Sequence, residues 1–442
     1  MKIETGRGPL KFFEAHWSAG YLVLGILVFY ALTPIVVGNM MGGDAHLQLL
    51  AQLALLAAAS IGIGFSIPVL DRLFKEDAPR LRINGDLLHG VIWGSFILFA
   101  VAVVATADHI PLVSALNGAT AQELSDQRGH FLKTRTGWEA GFNYLSALYA
   151  STILPFSLAA LFLYKRRLRW AALLVFIFYC ELSLEKALYL RAVLPLLYLA
   201  LTRRLWDYPR ALLLIVASVG LMYINTELSR GSDQFEAVSV EQAEEGMPPQ
   251  KDDLVVAGIE AVRAPFFSPY YRPTSTADFL VWRSVAVPVF TASDALRVFE
   301  SDFDNEPLMG ATSRLISGVF GLERVPFEAL VHGRQFGGTE ASHIGRSNSV
   351  FFTEAFVNFG WIGVIAFGLF IGQSLRWFRK SRDMAFRSVW PLYVLNVFQS
   401  GLIGNLLSNG FAIFFAIGLF FEIEYSDSEV RPAPTDEPWK PE

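Results

Sequence analysis

The sequence predicts an all-α polytopic membrane protein with about ten transmembrane helices and a large loop between helices 7 and 8. Of the 442 residues, 53% are hydrophobic and 17% are charged, a balance too apolar for a soluble domain of this length. Apolar runs of about 20 residues, enough for a helix to cross a bilayer, recur along most of the chain. A membrane β-barrel would show short alternating segments instead, so we exclude that architecture.

The apolar runs define the predicted spans. These are 20–38, 47–70, 86–107, 141–164, 170–186, 187–202, 209–226, 350–376, 386–406 and 408–425. The fifth and sixth spans are short, at about 16 residues each against a usual minimum of about 17. They share the charged tip Glu181–Arg191. We predict two short crossings with a tip sunken below the membrane surface, because one long span would place a flanking basic cluster on the wrong side.

Basic residues cluster on one side of the predicted spans. The clusters lie at 2–11, 72–82, 165–169, 203–210 and 376–387. Since cytoplasmic loops are enriched in Lys and Arg, both termini are predicted to be cytoplasmic, in a bacterial inner (cytoplasmic) membrane. The segment Asp278–Phe299 is apolar enough to suggest a further span. A crossing there would move the 376–387 cluster outside, so we predict a helix that lies on or re-enters the outer face.

This orientation divides the chain into four parts. Residues 1–226 hold helices 1–7, 227–349 form a periplasmic loop with amphipathic helices, 350–426 hold helices 8–10, and 427–442 form a cytoplasmic tail. The tail is Pro-rich and charged and is expected to be disordered. No small-residue cleavage site follows the first apolar run, so that run is expected to remain as a helix.

The periplasmic loop is unusual in its basic residues. It contains ten of them, and only Lys251 is a lysine. Guanidinium groups bind phosphate bidentately and keep their charge, so the pattern predicts a clamp for an anionic, diphosphate-linked substrate. The candidate ligands are Arg314, Arg324, Arg334 and Arg346, then Arg230 and Arg128, with Lys186 and Arg191 at the sunken tip. The alternative is that many of these arginines form structural ion pairs, since the loop also contains 18 acidic residues.

Glycosyl transfer from such a substrate needs a base to deprotonate the acceptor hydroxyl. The candidates in and beside the loop are His332, His343, Glu340 and Glu354. Histidine suits this role by its near-neutral pKa. Glu354 lies one turn into an apolar helix, where a carboxylate is costly unless it is paired or functional. A purely structural role for each residue stays open.

Motifs for cofactors and metals are missing from the sequence. No GxxxxGK[ST], GxGxxG or HExxH occurs, and the single cysteine, Cys180, allows neither a disulfide framework nor a cysteine-rich metal site. We therefore expect no cofactor, no metal and no nucleic-acid partner.

Two segments resemble a known family. The first is Ile110–Phe131, IPLVSALNGATAQELSDQRGHF, and the second is Phe351–Gly372, which contains NFGWIG. Together with the late outer loop they resemble the oligosaccharide repeat-unit polymerases, the Wzy-type O-antigen and exopolysaccharide polymerases. The resemblance implies a GT-C-like fold and a metal-independent glycosyltransferase that is active on the periplasmic face.

The same resemblance implies the substrates and partners. A growing glycan would pass from undecaprenyl diphosphate to the next lipid-linked repeat unit, and arginines of the outer loops would bind diphosphate and glycan. Membrane lipids and a chain-length regulator protein are the other expected partners.

Three other functions remain open on the sequence. An O-antigen ligase-type transferase would use the same donor with a lipid core as acceptor. A lipid or polysaccharide transporter would favour internal repeats, broken helices and polar residues at mid-membrane. A scaffolding subunit of an export system would not need the Arg and His cluster.

Overall fold

The computed structural model describes residues 14–40, 43–68, 80–132, 135, 137–203, 207–229, 266–269, 271, 273, 276–336, 347 and 349–425. Over these residues the chain is helical, with a single two-stranded sheet. Six of the described helices are long and apolar enough to cross a membrane. The predicted all-α polytopic membrane fold is confirmed.

The elements are numbered in chain order. In the first half they are α1 (Ala15–Asn39), α2 (Ala45–Ser66), β1 (Leu81–Asn84), α3 (Gly85–Ala105), α4 (Pro111–Leu116), α5 (Ala121–Leu132), α6 (Gly137–Leu163), α7 (Arg169–Ser183), α8 (Lys186–Arg203) and α9 (Asp207–Ser229). In the second half they are α10 (Thr276–Val281), α11 (Val287–Phe303), α12 (Arg314–Phe320), α13 (Phe327–Phe336), α14 (Phe351–Lys380), α15 (Met384–Arg387), α16 (Trp390–Gln399), α17 (Leu402–Leu407), α18 (Phe411–Phe420) and β2 (Phe421–Glu424). Single π-helical turns interrupt α1 at Leu27–Leu32 and α6 at Tyr149–Ile153, and another, Trp282–Ala286, joins α10 to α11.

The bundle has two ends, which we name by what they carry. The basic face holds the ends of α6 and α14, with Lys165–Arg169 and Arg376–Lys380. The loop face is the opposite end, where α11 packs on α2, α13 and α14, and α13 also packs on α14. Of the predicted basic clusters, residues 165–169 and 376–380 lie at the same end of the bundle.

The closest helix pair is α2 with α14. Small residues line both helices at the crossing, and a methyl group added to Gly64 would lie 2.4 Å from the carbonyl oxygen of Leu369. Gly368 and Gly372 on α14 form a GxxxG pattern that faces Ser60 and Ile61. Backbones can approach this closely only where side chains are small, which is the usual basis of helix association in lipid.

The basic-face end of α2 is capped by α14 itself. Arg376 Nη1 donates to the carbonyl oxygens of Phe65 and Ser66 at 3.0 and 3.1 Å. The amide of Gln373 donates to the carbonyls of Gly64 and Ile67. These carbonyls have no partner within α2, and an unpaired one would be costly at a membrane face.

Helix α14 reverses direction at Gly360, which has φ 63° and ψ −156°. A methyl group on Gly363 would lie 2.6 Å from the carbonyl oxygen of Ala355. In a straight helix those two positions are about 12 Å apart, so the first arm, residues 351–359, folds back over the second. The second arm, residues 361–380, is about 30 Å long and is the part that can cross the bilayer.

Residues 390–420 form a helical hairpin that reaches only mid-depth. Helices α16 and α18 have ten residues each, about half of the ~30 Å hydrocarbon core. Tyr30, in the middle of α1, donates its hydroxyl hydrogen to the Phe398 carbonyl at 3.0 Å. Thr152, in the middle of α6, donates to the Asn409 carbonyl at 2.6 Å. The hairpin tip, residues 400–410, therefore lies level with the middles of α1 and α6.

This hairpin corrects the prediction of two full spans at 386–406 and 408–425. Both segments are apolar enough to suggest a crossing, but the breaks at Gly401 and Gly410 leave helices too short for one. Both hairpin ends stay at the basic face, so the predicted sidedness of neighbouring segments is unchanged.

The other predicted spans fit the helices more closely. The first four and the seventh coincide with α1, α2, α3, α6 and α9 to within a few residues. The short fifth and sixth are α7 and α8, of 15 and 18 residues, joined at Leu184 in the left-handed conformation. Asp278–Phe299 falls on α10, its π turn and α11, which pack against α2, α13 and α14 rather than forming a separate span.

The last described residues return to the first half of the chain. Strand β2 pairs in parallel with β1 at the basic face. The Tyr425 hydroxyl lies 2.9 Å from Nε2 of the buried His89, whose Nδ1 is 2.8 Å from the Ser157 hydroxyl. Tyr425 also stacks on Tyr164 at a ring distance of 3.7 Å. The hairpin is thereby fixed to α3 and α6.

We expect Gly64→Ala to destabilise the protein by about 1–3 kcal/mol, because the new methyl group forces α2 and α14 apart. Thermal unfolding in detergent, followed by circular dichroism, gives the Tm. Gly62→Ala is the matched control, since a methyl group there meets nothing within 4 Å. Equal Tm values for the two variants would contradict close packing at this crossing.

Candidate functional site

A buried carboxylate lies where the hairpin of residues 390–420 meets the first arm of α14. Glu354, on the first arm of α14, accepts a hydrogen bond from the Ile403 amide at 3.1 Å and a second from the Leu402 amide. These amides begin α17, at the break between α16 and α17. Gly401 lies against the carboxylate, and a methyl group there would come within 2.5–2.7 Å of it. Glu354 therefore holds the hairpin tip in place.

Polar side chains continue from Glu354 along the tip. The side chains of Ser400 and Asn405 exchange hydrogen bonds at 3.1 and 3.3 Å. Asn409 donates from Nδ2 to Asn405 Oδ1 at 2.7 Å and accepts at Oδ1 from the Ser151 hydroxyl at 3.2 Å. Ser151 belongs to the π turn of α6, an irregularity that often marks functional positions.

The chain of polar groups ends at Arg191. Its Nη1 donates to the Ser151 hydroxyl at 2.5 Å. Arg191 belongs to α8, close to the tip that joins α7 to α8, and Glu185 interacts with it electrostatically. Lys186, at the start of α8, places its ammonium group 4.9 Å from the ring centre of Tyr223. The tip between α7 and α8 thus places the Arg191 guanidinium beside the middle of α6 and the Lys186 ammonium group beside α9; its predicted depth below the membrane surface stays a prediction.

On the loop face, α13 covers the first arm of α14. Glu328, at the start of α13, is close enough to Glu354 for their charges to interact. His332 follows one helical turn later on the same helix. Burial lowers the pKa of His332 below its ordinary value, because it disfavours the charged imidazolium form.

We call the assembly of α11, α12 and α13 the cap. It is fixed to α2 by one arginine between two carboxylates. Arg297 bonds Asp44, at the start of α2, and its Nη1 lies 3.1 Å from Asp294 on its own helix. Burial raises the pKa of Asp294 above its usual range. The pKa of Asp44 is lowered, because Arg297 and two backbone amides outweigh the effect of burial.

A second set of bonds ties α11 to α13. Gln335 donates from Nε2 to Asp294 at 2.9 Å and to the Thr291 hydroxyl at 3.3 Å, and its Oε1 accepts from Ser347 at 2.6 Å. All of these groups are buried or half-buried. This polar network ties the cap to α2 through Asp44, while Phe327 and Val331 of α13 pack on Val357 of the first arm of α14.

The predicted arginines of the cap have different surroundings. Arg334 is half-exposed and donates to the Ser301 hydroxyl at 2.5 Å, with Asp302 at 3.6 Å, which matches the structural ion-pair alternative. Arg314 and Arg324 are exposed at the two ends of the loop that contains α12. The structure does not place these three side chains beside Glu354.

Arg128 lies on a different part of the loop face. It belongs to α5, which packs on α4, α6 and α7, and its Nε donates to the Leu124 carbonyl at 3.1 Å. The predicted site residues Arg230, Glu340, His343 and Arg346, and the predicted tail 427–442, lie outside the described residues.

Of the predicted set, Glu354 and Arg191 both contact the hairpin tip, Glu354 through the Leu402 and Ile403 amides and Arg191 through Ser151 and Asn409. His332 lies on α13, one helical turn after Glu328. Sequence reasoning missed the connecting groups Ser151, Asn405 and Asn409, and the anchors Asp44 and Gln335. In the sequence, these residues stand out only as polar residues inside apolar runs. Their hydrogen-bond partners lie far away in the chain, so the sequence does not reveal the pairs. Arg297 and Asp44, for example, are 253 residues apart.

No protein-family model, no curated protein and no solved structure matches the chain.

We expect Arg297→Gln to lower the free energy of opening the cap by about 1–2 kcal/mol, because the Asp44 and Asp294 carboxylates then face each other without a cation. The loss is smaller than for a fully buried pair, since the Arg297 side chain is 40% exposed. The rate of hydrogen exchange of the α11 amides measures this loss of stability. Arg283→Gln, an exposed position just before α11, should leave exchange unchanged.

The pH dependence of this anchor has a definite sign. The folded-state pKa of Asp44 lies below its unfolded value, so the ion pair stabilises the cap above about pH 4 and is lost on further acidification. In the Arg297→Gln variant the Asp44 and Asp294 carboxylates repel each other, and protonation relieves this repulsion. Protection of the α11 amides from hydrogen exchange should therefore increase as the pH falls towards 4. Identical pH profiles for the two proteins would refute the bridging role.

Proposed function

We propose that this protein is a membrane glycosyltransferase that polymerises oligosaccharide repeat units linked to undecaprenyl diphosphate. The observation that supports the proposal best is that the hairpin tip, level with the middles of α1 and α6, is contacted by the Glu354 carboxylate on one side and, through Asn409 and Ser151, by the Arg191 guanidinium on the other. The tip lies beneath a cap on the loop face, which the distribution of basic residues assigns to the periplasmic side. The polymerase resemblance of Ile110–Phe131 and Phe351–Gly372 agrees with this reading.

The cations suit a lipid-linked diphosphate. A guanidinium keeps its charge at any physiological pH, and holding it inside a membrane is costly unless an anion or polar groups compensate. Among the described residues, the Ser151 hydroxyl and the nearby Glu185 carboxylate compensate the charge of Arg191. Lys186, at the start of α8, lies near the loop-face end of α9 through Tyr223, whereas Arg191 bonds Ser151 in the middle of α6. A lipid-linked diphosphate would therefore meet Lys186 first and would have to enter the bundle below headgroup depth to contact Arg191.

The reaction is a direct displacement at the anomeric carbon of the donor glycan. The acceptor hydroxyl oxygen forms the new bond to that carbon, and the carbon–oxygen bond to the diphosphate breaks with its electron pair on the diphosphate. The acceptor proton passes to a base, and inversion of configuration follows. Glu354 and His332 are the described candidates for the base, while Arg191 and Lys186 stabilise the leaving diphosphate.

A transporter is the second candidate, and one observation favours it. The half-depth hairpin 390–420 and the folded-back arm of α14 are interrupted helices that meet at mid-membrane, an arrangement common in secondary transporters. A ligase-type transferase would use the same donor chemistry and differs only in its acceptor.

Glu354→Gln separates a chemical role from a structural one. Gln keeps an oxygen for the Ile403 and Leu402 amides, so we expect a Tm close to wild type and a loss of polymerisation of at least about tenfold. Glu354→Ala removes the acceptor altogether and should also cost about 1–3 kcal/mol of stability. Full activity of a stable Gln variant would show that Glu354 only caps α17.

The cation assignment is tested by the glycan profile of a deletion strain complemented with variants. We expect Arg191→Ala to abolish long chains while single repeats still reach the surface, because diphosphate binding is lost, and Arg191→Lys to restore part of the polymer. Arg334→Ala should shorten chains only slightly, since Arg334 is paired with Ser301 and Asp302. Arg283→Ala is the exposed control.

The same profile distinguishes the alternatives. Polymer that accumulates on the lipid carrier without attachment would mean a ligase. Loss of all surface glycan, with single lipid-linked repeat units accumulating on the cytoplasmic side of the membrane, would mean a transporter. Wild-type chains from a well-expressed Arg191→Ala protein would contradict the cation assignment.

A further inference from the structure

The loop that contains α12 exposes an unusual amount of apolar surface. We define the α12 loop as residues 309–324. Its exposed apolar side chains are Met309, Leu315, Val319, Phe320 and Leu322, which are 62%, 56%, 71%, 72% and 38% accessible. Contiguous exposed apolar side chains on a protein surface mark an interaction site.

Hydrogen bonds define the shape of this loop. The Val325 amide donates to the Ala311 carbonyl at 3.0 Å and closes its base. Ser313 caps the start of α12, and Gly321, with φ 65°, ends it. The exposed side chains are therefore presented by an ordered turn of helix.

The loop is rooted at the reversal of α14. The Met309 amide donates to the Asn358 carbonyl at 2.9 Å, and the Asn358 side-chain oxygen accepts from the Gly310 amide at 3.1 Å. Thr312 also bonds Asn358, at 3.1 Å from its hydroxyl to Oδ1. Asn358 lies two residues before the Gly360 reversal, so the α12 loop sits at the loop-face end of the spanning arm.

The spanning arm exposes its own apolar side chains directly beyond the reversal. Trp361, Ile362 and Ile365 are 44%, 79% and 39% accessible. Because this arm crosses the bilayer, those side chains face lipid. The apolar surface of the α12 loop continues this lipid-facing surface past the end of the helix.

Charged residues border the apolar side chains. Arg314 begins α12, while Glu323 and Arg324 follow it, and all three are exposed. Arginines at the edge of an apolar surface suit the depth of lipid phosphates, with apolar side chains at the boundary between headgroups and acyl chains.

We propose that the α12 loop inserts into the bilayer leaflet on the loop face and anchors the cap to lipid. The occupant of its apolar surface is the headgroup–acyl boundary of the surrounding membrane. Anchored at the Asn358 root and at the lipid surface, the cap keeps a fixed depth above Glu354. This inference is independent of the chemistry proposed for the site.

Fluorescence quenching of a single label tests the insertion. Cys180 is the one native cysteine and is buried, so Val319→Cys in a Cys180→Ala background provides one labelling site on the full chain. The labelled protein, carrying an NBD group, is reconstituted into phosphatidylcholine vesicles with doxyl groups near the headgroup. We expect quenching by these lipids at least threefold stronger than quenching by aqueous iodide.

Two further labelling positions serve as controls for the quenching experiment. Phe320→Cys should repeat the Val319 result, and Glu306→Cys, exposed just before the loop, should show the reverse order of quenching. Strong iodide quenching at positions 319 and 320 would overturn the proposal in favour of a water-exposed loop. Protection from both quenchers would overturn it in favour of a covering protein, such as a second copy of this chain.

Discussion

Interrupted helices inside a membrane must satisfy their own backbone groups, and this constraint governs the centre of the molecule. Lipid offers no hydrogen bonds, so the amides freed at the start of α17 would each cost several kcal/mol if left alone. Glu354 supplies their acceptor, and Tyr30 and Thr152 supply donors to carbonyls elsewhere in the hairpin. A half-depth hairpin is therefore possible only because the first arm of α14 folds back to meet it.

This dependence links structure to the proposed chemistry. The carboxylate that holds the tip is also a proposed base, and the side chains of Asn405, Asn409 and Ser151 continue from the tip to Arg191. The close pair α2–α14 provides a rigid support, because Arg376 and Gln373 fix one end of it and the cap fixes the other.

Hydropathy was enough to predict most helices, since length and apolar content decide whether a segment can span. It failed at 386–425, where the total apolar length suffices but Gly401 and Gly410 divide it. The reversal at Gly360 also escaped prediction, because a positive φ leaves no trace in hydropathy. Among site residues, Glu354 and Arg191 could be predicted because a charge in an apolar run is conspicuous. Asn405, Asn409 and Ser151 could not, since each is ordinary alone and gains meaning only from distant partners.

The parallel pairing of β1 with β2 has a consequence for biogenesis. Leu81 pairs with Phe421, a separation of 340 residues (421 minus 81), so β1 stays without its partner while nearly all of the membrane bundle is synthesised. Contacts of such long range form late and slow folding. Release from the insertion machinery should therefore precede closure of the basic face, and Tyr425 reaching His89 would be among the last native contacts to form.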